Sequence, residues 1–233
     1  MRLLKSLVTA LVLVFALIAS PTASAHSVKD LESMLGDKEM YFQPVDKEAP
    51  GFTLSTADGE AVRLADLRGK VVVLHFIYAS CPDVCPLHAE KIAKVQEMVN
   101  QTPMKHLVRF VTITTDPVND TTEVMRGYGP AHGLDPVSWM FLTTTPEQPE
   151  DATRQLARSY GHKFTKTEDD YQVHGVVTHV IDKQGRWRGN FHGLKFEPTN
   201  LVMFINALVN DVAAPHGHGE QSWWDRLRSC SDG

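Results

Sequence analysis

The feature that most constrains the fold is an uninterrupted apolar run, Val71–Tyr78, which is followed at once by two cysteines. β-Branched and aromatic residues fill the run, so we expect a central strand that is buried on both faces. Cys81 and Cys85 stand four residues apart just beyond it. If a helix begins near Cys81, both sulfurs lie on one helix face and point at one spot. Such a dithiol can close a disulfide or bind a soft metal as thiolates.

The first 25 residues are typical of a secretory signal peptide. Arg2 and Lys5 supply a basic start, an apolar stretch continues to about Ala19, and Ala23-Ser24-Ala25 has the small-x-small pattern of a cleavage site. The apolar stretch is short for a membrane span. We therefore expect cleavage after Ala25 and release into the periplasm, rather than a retained membrane anchor.

The charge balance and the cysteine count exclude two classes of protein. The chain has 23 Lys and Arg against 28 Asp and Glu, and its net charge of −5 becomes −7 once Arg2 and Lys5 leave with the signal peptide. An acidic chain is not expected to bind nucleic acid. Three cysteines are too few for a disulfide scaffold, so stability must come from a hydrophobic core, for which the chain is long enough.

Changes in composition divide the chain into four parts. Within the main part, Asp58-Gly59 predicts the turn of a β-hairpin, and strands alternating with helices predict an α/β sheet covered by helices. A helix is expected over Val84–Asn100, and Asp120 is expected to cap the next helix. The predicted parts are a signal peptide (1–25), an N-terminal arm (26–47), the folded domain (48–211) and a flexible histidine-containing tail (212–233).

Several motifs occur in the order found in a known family. The motifs are the entry segment 47–71, Cys81–Pro86, the Asp-Pro loop Thr115–Thr121, the helix Leu156–Tyr160 and the strand His174–Ile181. In this order they resemble the Sco/SenC copper chaperones over about residues 45–211. The resemblance implies a thioredoxin-like fold with an N-terminal β-hairpin extension. It also implies delivery of copper to a cytochrome oxidase copper site, or maintenance of the thiols of that site. At Asn119 the chain departs from the family, where an arginine is usual.

The resemblance further implies that Cys81, Cys85 and His174 bind the metal, and that the two cysteines also form a disulfide. Copper(I) prefers thiolate sulfur, and imidazole binds copper in both oxidation states, so Cu(I), Cu(II) or both fit these ligands. His179 lies five residues further on, roughly 16 Å along an extended strand. Because it alternates with apolar residues, we expect a satisfied, half-buried histidine there rather than a ligand.

Two carboxylates are candidates for orienting the ligands or for docking a partner. Asp83 lies inside the cysteine motif, and Asp116 precedes a proline in the Asp-Pro loop. Carboxylates beside metal ligands fix their orientation and tune their charge. Helix capping by Asp83 and turn formation by Asp116 are the structural alternatives.

Three functions stay open at this point. The first is a copper chaperone that serves a cytochrome oxidase copper-site subunit or another periplasmic copper protein. The second is a thiol–disulfide oxidoreductase that uses the same cysteines, although such enzymes more often have two residues between the cysteines than three. The third is a copper sensor or buffer, to which His26, His216 and His218 would add capacity. Trp223-Trp224 suggests proximity to a membrane or partner surface, and Cys230 has no indicated role.

Overall fold

The computed structural model describes residues 28–166, 172–173 and 175–210. The predicted signal peptide, the predicted ligand His174, and the tail with His216, His218 and Cys230 lie outside the described residues. Among the described helices, none combines the length and the apolar character that crossing a membrane requires.

Helices and strands alternate along most of the described chain. The helices are α1 (Val28–Lys38), α2 (Val84–Asn100), α3 (Thr122–Ala131), α4 (Ala152–Ser159) and α5 (Pro198–Asn210), with short 3-10 helices at Leu64–Leu67 and Pro103–Leu107. The strands are β1 (Phe42–Glu48), β2 (Thr53–Thr56), β3 (Ala61–Arg63), β4 (Val71–Ile77), β5 (Val108–Thr114), β6 (Trp139–Thr143), β7 (Thr165–Lys166), β8 (Gln172–Val173), β9 (Val177–Ile181) and β10 (Arg186–His192).

Eight of these strands form one sheet in the order β1-β10-β9-β4-β5-β6-β2-β3. Strands β4, β5 and β6 are parallel to one another, and β9 runs antiparallel to β4. The hairpin of β2 and β3 forms one edge, and its turn contains Gly59 at φ 81°, a conformation that favours glycine. This architecture confirms the predicted α/β sheet and its N-terminal hairpin.

The segment predicted as an arm contributes two elements to the domain. One face of α1 is buried, and β1 pairs antiparallel with β10 at the other edge of the sheet. Phe42 packs against Phe191 and Phe204, with ring centroids 5.1 and 5.0 Å apart. The domain therefore begins before the predicted boundary at residue 48. Sequence reading misses β1 because most of its side chains are exposed and polar.

The central strand β4 brings the two cysteines to one edge of the sheet. All seven of its residues are buried, as the apolar run predicted, and α2 follows over the predicted range. The cysteine loop, residues 78–83, leaves the carboxyl end of β4, and the loop 115–121 leaves the carboxyl end of the parallel neighbour β5. Carboxyl ends of parallel strands meet at one edge, which is where sites form in sheets of this kind.

Candidate metal centre

Both cysteines lie at the start of α2, inside the protein. Cys81 precedes the helix and its backbone N–H donates to the carbonyl of Tyr78 at 3.2 Å, while Cys85 belongs to the first helical turn. Their exposed fractions are 6 % and 2 %, and both thiols are free. The helix starts three residues after Cys81. The two side chains are nevertheless close, as the hydrogen bond between their thiols shows.

The two thiols differ in acidity. Burial acts to raise the pKa of Cys81, but hydrogen bonds from the Asp83 backbone and from the thiol and backbone of Cys85 outweigh it, and this pKa falls below its ordinary value. For Cys85, burial dominates and raises the pKa far above the usual range. Cys81 is thus the sulfur that ionises first, whereas Cys85 keeps its proton until a metal or another reaction removes it.

The two carboxylates predicted beside the ligands have different surroundings. Asp83 occupies the N-cap position of α2 but makes no capping hydrogen bond with its side chain, and it is exposed. Asp116 is half-buried and its carboxylate accepts from the Asn119 amide at 2.8 Å. This hydrogen bond from Asn119, the position that departs from the family pattern, stabilises the Asp-Pro loop. Any effect of Asp83 or Asp116 on a bound metal stays a prediction.

Asp120 is the functional residue that sequence reasoning missed. It was predicted to cap α3, and this was wrong by one residue: the cap is Thr121, whose hydroxyl accepts from the Val124 N–H at 3.4 Å. Asp120 is instead 2 % exposed, and both of its carboxylate oxygens accept the Ala79 N–H at 3.1 Å. It also accepts from the Thr114 hydroxyl. One buried carboxylate therefore ties the cysteine loop to the end of β5.

Tyr128 of α3 supports the cysteine motif from a second direction. Its hydroxyl donates to the Cys85 carbonyl at 3.3 Å, and the ring is buried. Burial, together with the nearby cysteine and carboxylate charges, raises the pKa of this phenol, so the hydroxyl stays protonated and remains a donor. Sequence reading had no signal for this contact, which joins residues 43 positions apart.

The side chain of His174 lies outside the described residues, but the chain that follows it is placed. Val176 accepts from the Gly193 N–H at 2.8 Å, and Thr178 of β9 pairs with His75 near the end of β4. The start of β9 therefore lies beside the end of the strand that leads into the cysteine loop. In residues 28–166, 172–173 and 175–210, no three metal-binding side chains converge on one point.

His179 is a core residue, as its alternation with apolar residues predicted. It is 1 % exposed, which makes it fully rather than half-buried. Its Nδ1 donates to the side-chain oxygen of Asn190 at 2.7 Å, and its Nε2 is 2.9 Å from the Nε2 of His162. Burial holds the pKa of His179 well below its ordinary value, so the imidazole is neutral in the folded protein.

Comparison with known proteins assigns the chain to a family. The model of the SCO1/SenC family matches residues 42–210. The chain belongs to the SCO1/SenC family. Among its SCO relatives, the SCO2-like protein RP587 of Rickettsia prowazekii is 31 % identical over 143 residues, which cover 60 % of this chain and 67 % of that protein. The mitochondrial SCO2 homologue of Mus musculus is 33 % identical over 167 residues, covering 71 % and 62 %.

Solved SCO structures share the fold of this family member. Bradyrhizobium japonicum ScoI with copper bound has a TM-score of 0.56 and 27 % identity, covering 69 % of this chain and 99 % of that one. Arabidopsis thaliana ScoI with copper bound has a TM-score of 0.57 and 26 % identity, covering 68 % and 96 %. These likenesses confirm the predicted thioredoxin-like fold.

Proposed function

We propose that this SCO1/SenC protein binds copper and delivers it to the copper site of a cytochrome oxidase. The observation that carries the proposal is the buried, free dithiol of Cys81 and Cys85 at the start of α2, in which one thiol has a lowered pKa. Copper(I) prefers such thiolate ligands. Copper is also bound in the Bradyrhizobium japonicum and Arabidopsis thaliana ScoI structures.

In this proposal, copper is held by Cys81, Cys85 and His174. Cys81 supplies the first thiolate because its pKa is already lowered, and Cys85 loses its proton when copper binds. His174 completes a three-coordinate site. Its place in the chain supports this role, because the start of β9 lies beside the end of β4.

The surroundings of the dithiol suit transfer as well as binding. Burial keeps water from the sulfurs, and the bond between Asp120 and Ala79 holds the loop in one conformation, so the ligands need little rearrangement. The strongly raised pKa of Cys85 favours release, because this sulfur regains a proton when a partner's thiolate takes the copper. We place the transfer in the periplasm, after cleavage at Ala25, with an oxidase copper-site subunit or another periplasmic copper protein as receiver.

An anaerobic competition experiment tests this proposal. Reduced mature protein is titrated with copper(I) in the presence of a copper(I) chelator, alongside His174→Ala and the matched control His192→Ala. His192 is an exposed residue at the end of β10. We expect His174→Ala to weaken copper binding by more than the 10–100-fold typical of changes beyond the ligands, and His192→Ala to leave it unchanged. Equal affinities for all three proteins would contradict the assigned ligand.

The unequal acidity of the two cysteines favours thiol–disulfide exchange as a second candidate function. An attacking thiolate at Cys81 and a protonated, buried Cys85 resemble the arrangement of a dithiol reductant. In such a reaction Cys81 attacks a partner disulfide, Cys85 then attacks the mixed disulfide, and two electrons pass to the partner as Cys81 and Cys85 become joined. Rapid reduction of an oxidised oxidase peptide by wild type and by His174→Ala alike, with no tight copper binding, would favour this function. Tight binding without transfer would instead favour a copper sensor or buffer.

A further inference from the structure

A cleft opens at the edge of the sheet opposite the cysteines. It has a volume of about 400 Å³ and lies where β4, β5 and β6 begin, beside the carboxyl end of α2. The seven residues of β4 separate this edge from the cysteine loop by roughly 20 Å, at about 3.3 Å per residue. The proposed copper site therefore does not use the cleft. We call it the basal cleft; its lining includes Lys70, Lys105, His106, Arg109 and Val137.

The basal cleft concentrates basic side chains on an acidic protein. The chain has a net charge of −5, yet four basic residues line this one cleft. In the part of the chain that the structure describes, none of the four forms an ion pair. The one carboxylate in the lining, Asp135, is already engaged: it accepts from the Asn100 amide and from the Val137 N–H, both at 2.9 Å.

Several N–H groups of the cleft are available to a ligand. The Nη1 of Arg109 donates to the Val137 carbonyl at 2.8 Å, but its Nε is buried and has no hydrogen-bond partner among the described residues. Lys70 donates to the His106 carbonyl at 2.9 Å, which uses one of its three donors. Solvent does not reach this Nε, so an anion in the cleft would be bound by the other guanidinium donors of Arg109 and by the lysines.

We propose that the basal cleft is a binding site for a phosphate group. A guanidinium offers a fork of donors and the lysines offer point charges, and together they match the several oxygens of a phosphate. The phosphate is either free or part of a lipid headgroup. The lipid source is suggested by two exposed apolar side chains, Val137 in the lining (79 % exposed) and Leu107 next to His106 in the chain (42 % exposed). The competing explanation is that the lysines and Arg109 only offset the negative carboxyl end of α2.

Two arms of one experiment identify the source of the phosphate. Reduced, copper-free mature protein is titrated with pyrophosphate, with chloride at matched ionic strength as the reference, and is separately mixed with phosphatidylglycerol or phosphatidylcholine vesicles in a flotation assay. Binding to pyrophosphate alone assigns a free phosphate compound. Binding to pyrophosphate and selectively to phosphatidylglycerol assigns a lipid headgroup. Absence of pyrophosphate binding overturns the proposal, whatever the vesicles show.

Two variants that remove one positive charge each test whether the cleft is responsible. Lys105→Gln changes an exposed side chain of the cleft, and Lys195→Gln changes an exposed lysine outside it. We expect pyrophosphate to bind about tenfold more weakly to Lys105→Gln and unchanged to Lys195→Gln. If both variants bound pyrophosphate equally weakly, net charge and not the cleft would account for binding, and the proposed site would be overturned. A lowered unfolding temperature for Lys105→Gln with unchanged pyrophosphate affinity would establish the competing explanation.

Arg109→Lys separates the shape of the donor group from its charge. The substitution keeps the positive charge but removes the Nε donor and the guanidinium fork. We expect weaker pyrophosphate binding in a protein that stays folded, although loss of the bond to the Val137 carbonyl lowers the unfolding temperature slightly. Unaltered affinity in a folded Arg109→Lys protein would show that the guanidinium contributes nothing beyond its charge, and would contradict the proposed geometry. Because the protein is copper-free throughout, this result is independent of the proposed copper function.

Discussion

The two edges of the parallel strands β4–β6 have opposite chemistry. At the carboxyl edge lie a buried dithiol, the buried carboxylate of Asp120 and the half-buried carboxylate of Asp116. At the amino edge lies the basal cleft, with its four basic side chains. In the two proposals made above, the same strands thus present soft ligands for a metal cation at one end and donors for an anion at the other.

The two edges differ in burial, and burial determines how tightly and how specifically each edge can bind a ligand. Cys81, Cys85 and Asp120 are almost fully buried, so their contacts fix one conformation and shift their acidities. Lys105 and His106 are exposed, so solvent and salt weaken their attraction for a ligand. We therefore expect tight, specific binding at the carboxyl edge and weaker, salt-dependent binding at the amino edge.

The largest predicted effect comes from removing one sulfur, which tests whether the two edges bind their ligands independently. Cys81→Ser replaces the proposed thiolate ligand by a hydroxyl that does not ionise near neutral pH. We expect copper(I) affinity to fall by well over 100-fold, more than changes beyond the ligands produce. Pyrophosphate binding at the basal cleft should be unchanged. Competition with a copper(I) chelator and a pyrophosphate titration on the same sample check both; coupled losses would mean that the edges are not independent.

The second prediction concerns the carboxylate of Asp120. Asp120→Ala leaves the half-buried Ala79 N–H and the Thr114 hydroxyl without their acceptor, so we expect stability to fall by about 1–3 kcal/mol. Copper(I) affinity should fall about 10–100-fold because the cysteine loop loses its anchor.

Two further variants at this loop serve as controls for Asp120→Ala. Asp120→Asn, which retains an acceptor, should recover part of both the stability and the copper affinity. Asp116→Ala, at the half-buried position, should change both less. Urea unfolding and chelator competition measure these effects. An Asp116→Ala effect as large as that of Asp120→Ala would contradict the assigned anchor.

Local patterns in the sequence predict the centre of this molecule well. The range of α2 was predicted to the residue because an apolar strand, a cysteine motif and helical spacing follow one another without a gap. The last helix, Pro198–Asn210, likewise begins at a proline, which suits a first helical position. Local sequence is sufficient to predict these helices, because their patterns do not depend on the residues that they contact.

Contacts between distant parts of the chain explain what sequence reading misses. Asp and Thr are both good helix caps, so local sequence does not show which of Asp120 and Thr121 caps α3. The choice depends on Ala79, 41 residues away, whose N–H donates to Asp120 and leaves the cap to Thr121. The basal cleft likewise gathers residues 70, 105, 106 and 109 from separate elements. The ligand role of His174 stays a prediction, supported by the place of β9.

The third prediction concerns His75, which lies in β4 between the two edges. Burial lowers its pKa from 6.5 to about 3, so the folded protein does not take up the proton that the unfolded chain binds below pH 6.5. Stability should therefore be complete above about pH 6.5 and fall as the pH drops toward 3. The loss from His75 alone should reach roughly 2 kcal/mol by pH 5.

A variant isolates the contribution of His75 from that of other buried histidines. His75→Gln removes the titrating group, and its amide can still bond to Thr112, which lies 3.1 Å from the His75 Nε2. Urea unfolding at pH 7, 6 and 5 should give a shallower dependence on pH for His75→Gln than for wild type, by up to one proton. Identical slopes would show that His75 is protonated in the folded protein as well.

The smallest predicted effect comes from Thr121, beside Asp120 in the chain. Its hydroxyl caps α3 through the Val124 N–H and lies at the surface. Thr121→Ala should cost about 1 kcal/mol of stability, as loss of a cap usually does. It should not change copper affinity, because the bond from Ala79 to Asp120 remains. Urea unfolding and chelator competition, run beside Asp120→Ala, measure both quantities. If Thr121→Ala weakened copper binding as much as Asp120→Ala, the whole loop, rather than one buried carboxylate, would set the geometry of the carboxyl edge.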